Sequence, residues 1–153
     1  MPPQELRDAI REEIKELLTF FAKDADVAAE ESLYFGLRFN ILVNDARYLI
    51  GEHGANLFDF EYLVKRIIQK KYPDAPLFSL DVNDYKLRRA EALRDEVKAV
   101  AKKVRMYRKE ISLRPMSAFE RRIIHMALAE HPDITTESTG EGKTRRVVIK
   151  PYP

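Results

Sequence analysis

Two glycines three residues apart, Gly51 and Gly54, constrain this chain more than any other feature. They lie within Ile50-Gly51-Glu52-His53-Gly54-Ala55-Asn56-Leu57. Residues 46–50 can make one helical turn before the first glycine breaks it. Residues 55–71 carry Leu57, Phe60, Val64, Ile67 and Ile68 on one side of a longer helix, which Pro73 and Pro76 end. A short helix, a glycine break and a long helix therefore follow one another without a linker. Glycine has no Cβ, so the backbone can approach a ligand closely there. The next helix then offers free N–H groups and a positive dipole end to a phosphate.

The flanking elements follow from periodicity. Leu6, Ile10, Ile14, Leu17 and Phe21 recur at steps of three or four, which predicts a helix over residues 4–22. Residues 27–43 read as two strands, and residues 77–82 as a third. Asp84 is placed to cap the longest helix, residues 85–109, whose apolar face is Leu87, Ala90, Leu93, Val97, Val100, Val104 and Tyr107. A strand at 110–114 stops at Pro115. Ser117-Ala118-Phe119-Glu120 has the spacing of a capping box and opens another helix, with Phe119, Ile123, Met126 and Ala127 turned to a core. Thr135–Ser138 and Arg145–Lys150 then read as a hairpin around Gly140-Glu141-Gly142. The fold class is α+β, with the order αββααβ followed by αβαββ.

Charge divides the chain in the same place. Residues 1–85 hold 10 Lys and Arg against 16 Asp and Glu, a net of −6; residues 86–153 hold 17 against 9, a net of +8. We expect two domains, 1–84 and 85–153, the second built to meet a negative partner. Cysteine is absent. That excludes disulfides, thiolate metal sites and a cysteine nucleophile. No apolar run approaches the roughly 20 residues of a membrane span, so we expect a cytoplasmic protein without membrane insertion.

The second motif is Glu120-Arg121-Arg122-Ile123-Ile124-His125. Arg121 and His125 are four residues apart and share a helix face, with Arg122 at its border. Ala118 and Ala129 keep that face shallow, so it reads as a cationic ledge suited to phosphate. Arg145 and Arg146 follow about twenty residues later. Lys102, Lys103, Arg105, Arg108 and Lys109 add a basic run at the end of the long helix. Its position also suits the negative end of the helix dipole. Tyr48, Phe58 and Tyr62 are candidates for base stacking, although the spacing of Phe58 favours the core.

No catalytic constellation stands out. The three histidines, His53, His125 and His131, form no zinc-type pair, and no phosphate-binding P-loop or nucleophile elbow occurs. His125 with Glu120 or Glu130 is the nearest approach to a general-base site, on an exposed ledge without an evident pocket. We expect no enzyme, no cofactor and no metal.

The first motif, with its Ile50 and Leu57 flanks and its strand–helix–loop–helix–strand setting, resembles the G-x-x-G loop of a KH domain, which clamps about four nucleotides. Many such loops carry a lysine or arginine between the glycines, where Glu52 and His53 stand here. Arg47, Lys65 and Arg66 are the nearest cations. The second motif resembles the R-x-x-x-H domain, spoken "R-three-H", a small single-stranded nucleic-acid-binding module, with Arg121 and His125 as its signature pair. The two in this order resemble the bacterial Jag family, also called KhpB or SpoIIIJ-associated. The resemblance implies RNA binding in the cytoplasm through Gly51, Glu52, His53, Gly54, Arg121, Arg122, His125, Arg145 and Arg146. It also implies a post-transcriptional role tied to the cell envelope and elongation, and a KH-only protein or a second copy as partner. Single-stranded DNA is a second candidate ligand. An adaptor or dimerisation module, touching nucleic acid only in its C-terminal domain, is a second candidate class.

Overall fold

In the computed structural model, residues 3–153 are described. Two compact units divide the chain, residues 1–87 and 88–153.

The first unit runs α1 (Pro3–Leu18), β1 (Asp26–Ser32), β2 (Gly36–Leu42), α2 (Arg47–Ile50), α3 (Ala55–Lys71) and β3 (Ser79–Val82). Pro3 opens α1, where the missing N–H loses nothing. Ile10, Ile14 and Leu18 are its buried stripe. The helix stops four residues short of the expected Ala22, because the Thr19 hydroxyl donates to the Glu16 carbonyl at 2.6 Å and the chain turns there. Phe20 and Phe21 are consequently exposed, not continuations of the stripe; the Phe21 ring meets Phe60 edge-on at 5.9 Å.

The sheet order is β1-β2-β3. β1 and β2 form an antiparallel hairpin, whereas β2 and β3 run parallel with Arg38 opposite Ser79 and Ile41 opposite Val82. A parallel pair needs a crossover. α2 and α3 supply it, which places the Gly51–Gly54 loop inside that crossover. Leu37, Phe39, Ile41, Leu80 and Val82 join Leu57, Val64 and Ile68 of α3 and the α1 stripe in one core. Leu77, expected on β3, is fully exposed ahead of it.

The alternate residues of the central strands are buried too, but they are polar. Arg38 donates to Asp81 at 2.8 Å, Glu30 at 2.5 Å and Asp84 at 2.7 Å. Asp81 also accepts from the backbone N–H groups of Lys86 at 2.9 Å and Leu87 at 3.2 Å. The cap of α4 (Tyr85–Tyr107) is therefore Asp81 and not Asp84. Asp84 adopts a left-handed φ of 59° and turns its carboxylate to Arg38 and Asn40 instead.

The second unit comprises most of α4, then β4 (Ile111–Ser112), α5 (Ala118–Leu128), β5 (Ile134–Thr139) and β6 (Arg146–Pro151), with sheet order β4-β6-β5 and every pairing antiparallel. Ala90, Leu93, Val97, Ala101 and Val104 are the buried stripe of α4; Tyr107, expected on it, is exposed. The capping box at α5 is formed on both sides: Ser117 Oγ accepts from the Glu120 N–H at 3.2 Å, and the Glu120 carboxylate accepts from the Ser117 N–H at 3.0 Å. α5 buries Ile123, Ile124 and Leu128, so Ile124 takes the inward position expected of Met126, which is partly exposed.

Candidate nucleic-acid interface

The loop between α2 and α3 is built on left-handed backbone. Gly51, His53 and Gly54 have φ of 71°, 54° and 81°. A Cβ at Gly54 would lie 2.9 Å from the Tyr85 ring, and one at Gly51 would lie 2.6 Å from the Asn56 side chain. Asn56 crosses over Gly51 and donates to the Tyr48 carbonyl at 2.8 Å, which ties α3 back to the end of α2. The role of Asn56 was invisible in the motif, because the carbonyl it bonds belongs to a different helix.

Glu52 and His53 occupy the loop tip with both side chains 91 % exposed. The cations nearby are largely committed. Arg47 grips Asp45 through two nitrogens, at 3.0 Å and 2.8 Å. That grip, with the Arg47 backbone N–H, holds the Asp45 carboxyl down at about 2. Lys65 pairs with Glu61 at 3.8 Å. Arg66 is exposed. Tyr48 and Tyr62 present open rings. Phe58 is not in the core: it is 36 % exposed, with the Lys86 ammonium 4.9 Å from its ring centre.

The second unit arranges its basic residues differently. Arg121 donates to the Met116 carbonyl at 3.0 Å, and the Met116 N–H donates to the Arg145 carbonyl at 3.1 Å. The backbone of one residue in the loop before α5 thus links the Arg121 guanidinium to the main chain at Arg145. Arg145 also donates to the Gly140 carbonyl at 2.7 Å across its hairpin turn. Arg122, next to Arg121 in α5, is exposed.

His125 is inserted against β5. Its Nδ1 is 2.7 Å from the Thr136 hydroxyl and its Nε2 is 3.0 Å from the Ser138 hydroxyl. Burial, and then the positive Arg121, push its pKa below the ordinary histidine value. The ring is neutral near pH 7. Arg146 is set apart from this group. Thr139 and Arg146 oppose each other in the β5–β6 register, one step out of phase with Ser138 and Val147. Alternation therefore puts Arg146 on the other face of the sheet from Thr136, Ser138 and His125.

The basic run along α4 begins earlier than the sequence suggested. Lys98, Lys102 and Arg105 follow at steps of four and three and share one side. Arg105 reaches Asp133 at 3.6 Å; Lys98, Lys102, Lys103 and Lys109 have no carboxylate within ion-pair distance among the described residues. In the first half of the helix, Arg89 pairs with Glu120 at 2.7 Å and Glu96 with Arg114 at 2.5 Å.

Among the described residues, no helix is long and apolar enough to cross a membrane, and no group of three or more His, Asp or Glu side chains could hold a metal ion.

Residues 91–151 match the R-three-H domain, the family named for its R-x-x-x-H signature. The chain is 37 % identical over 113 residues to RNA-binding protein KhpB of Clostridium symbiosum, covering 74 % of this chain and 51 % of that one. It is 33 % identical over 130 residues to RNA-binding protein KhpB of Lactiplantibacillus plantarum, covering 83 % and 40 %. It is 33 % identical over 130 residues to RNA-binding protein KhpB of Bacillus subtilis, covering 84 % and 62 %. The chain thus spans about half the length of the curated relatives it matches. The second unit thus carries an R-three-H domain, and along most of its length the chain is similar to the KhpB proteins of the Jag family.

Proposed function

We propose that this protein binds single-stranded RNA and does no chemistry on it, acting in the cytoplasm as a post-transcriptional regulator or RNA chaperone linked to the cell envelope and elongation. The single observation that carries the reading is the Met116 backbone link between the Arg121 guanidinium and the strand end at Arg145, inside the segment that matches the R-three-H domain. The names of the relatives support RNA as the ligand. Arg121, Arg122 and Arg145 supply phosphate contacts, and the α4 cations extend them. His125, with both ring nitrogens engaged, supports the ledge without adding charge to it.

The first unit, read as a KH domain over residues 1–84, contributes through its backbone. The glycines let a strand lie close to the start of α3, and the exposed Tyr48 and Tyr62 offer rings to bases. Two modest sites on one chain reinforce each other through effective concentration. Partners of this unit are a KH-only protein or a second copy.

One observation favours a second reading of the loop. Glu52 stands at the tip, and the adjacent Arg47 is neutralised by Asp45. This suits an adaptor surface, with nucleic acid held by residues 85–153 alone. The double substitution Glu52→Asp with His53→Asp separates the two. Aspartate tolerates the left-handed backbone at position 53 and adds negative charge. Weaker RNA binding in fluorescence anisotropy supports the clamp; unchanged binding, with Arg121→Gln still weakening it, supports the adaptor.

A further inference from the structure

We propose that His125 is a positioning residue: held between the Thr136 and Ser138 hydroxyls, it pins β5 to α5 and so sets how Arg121 and Arg145 meet a phosphate. The proposal deepens the RNA-binding reading and rests on it.

A neutral imidazole has one donor and one acceptor, and a hydroxyl can serve as either. His125 spends both nitrogens on β5, at 2.7 Å and 3.0 Å. Neither remains to bind a ligand oxygen without breaking a contact already made. The ring is partly buried, and Arg121 one turn away opposes its protonation, so the ledge gains no charge from it near neutral pH.

The contacts place the clamp where it can orient both arginines. Thr136 and Ser138 are two residues apart and share a face of β5. His125 and Arg121 are one turn apart on α5. β5 continues through Gly140 into the turn that carries Arg145, whose guanidinium bonds the Gly140 carbonyl at 2.7 Å. The clamp therefore joins the hairpin bearing Arg145 to the helix bearing Arg121, and the Met116 bridge fixes the other end of the same arrangement. Thr136 and Ser138 become part of the binding machinery without touching RNA.

The test compares His125→Ala, His125→Gln and the pair Thr136→Val with Ser138→Ala, using fluorescein-labelled oligouridylate across a salt series. Thermal melts establish that each variant is folded at the assay temperature. The hydroxyl pair and His125→Ala should each weaken binding about fivefold, with the salt slope unchanged. His125→Gln, which keeps one amide for Ser138, should recover part of the loss. Nitrogen-15 NMR of the wild type should show one neutral ring tautomer at pH 7.

Wild-type affinity in the hydroxyl pair overturns the proposal. So does a slope smaller by about 0.7 in His125→Ala, which would make the ring a phosphate ligand. A ring that titrates at the ordinary value overturns it as well, whatever RNA does. If the NMR shows the clamp but the wild type binds no RNA at low salt, the RNA-binding reading fails and takes the positioning role with it.

Discussion

Arg38 and Asp81, 43 positions apart in sequence, form a buried ion pair at 2.8 Å between adjacent parallel strands. Asp81 simultaneously caps α4 through the Lys86 and Leu87 N–H groups. One carboxylate thus joins the sheet to the helix that enters the second unit.

Removing Asp81 should be far more damaging than its size suggests. Asp81→Ala takes the side-chain acceptor from the Val82, Lys86 and Leu87 N–H groups and leaves a buried guanidinium short of one carboxylate. The expected loss is about 3–5 kcal/mol in chemical denaturation. Arg38→Met combined with Asp81→Leu should lose less than the sum of the single changes, because no unpaired charge remains. Additive losses would show that the pair is not coupled.

Gly54 should resist substitution for two reasons. Its φ of 81° is left-handed, and a Cβ would lie 2.9 Å from the Tyr85 ring. Gly54→Ala should destabilise the protein by about 1–2 kcal/mol from backbone strain alone. Gly36, also left-handed but with open space around it, supplies the control: Gly36→Asn should be nearly neutral.

The Ser117 cap makes a smaller, local prediction. Ser117→Ala should lower stability by about 1 kcal/mol, since the Glu120 N–H loses its acceptor. Because α5 carries Arg121 and His125, RNA binding should weaken on heating at a lower temperature than in the wild type.

Stability should fall as pH drops below neutrality, in part through His125. Its folded pKa is lowered by burial and by Arg121. The unfolded state therefore binds a proton more readily, and the stabilisation is present above about pH 6.5 and is lost as pH falls below it. Melting temperature should drop as pH falls from neutrality through about 6.5. His125→Gln should flatten that part of the profile. An identical slope in the variant would show that another group carries the dependence.

The α4 stripe should be visible in the salt dependence of binding. The helix dipole acts only within the last turn, which accounts for Arg105 and not for Lys98 or Lys102. Lys98→Gln with Lys102→Gln should reduce the salt slope by about 1.4 if both contact phosphates. An unchanged slope would assign these lysines to solvent.

Most elements were legible in the sequence because local patterns determine them. The α3 stripe, the Ser117 capping box and the hairpin at Gly140–Gly142 each depend on residues a few positions apart. The misreadings share a different cause. Asp84 looks like the cap of α4 because it is adjacent, but Asp81 does the capping from a neighbouring strand. The Phe21 spacing extends the α1 stripe, but the Thr19 hydroxyl ends the helix first. At the second site, Arg121 and His125 share a face as their spacing requires. The bonds that distinguish them, to Met116 and to Thr136 and Ser138, depend on tertiary pairing. Arg145 and Arg146 look equivalent in sequence, yet strand alternation separates them.

The most direct test of RNA binding is fluorescence anisotropy with single-stranded RNA, single-stranded DNA and duplex RNA of equal length, each from low to physiological salt. The expected result is preferential binding to single-stranded RNA with a slope of roughly −0.7 per contacted phosphate, reduced in Arg121→Gln. Equal binding to DNA would remove the RNA preference. No binding to any strand at low salt would contradict the central claim and leave the first unit as a protein-interaction surface.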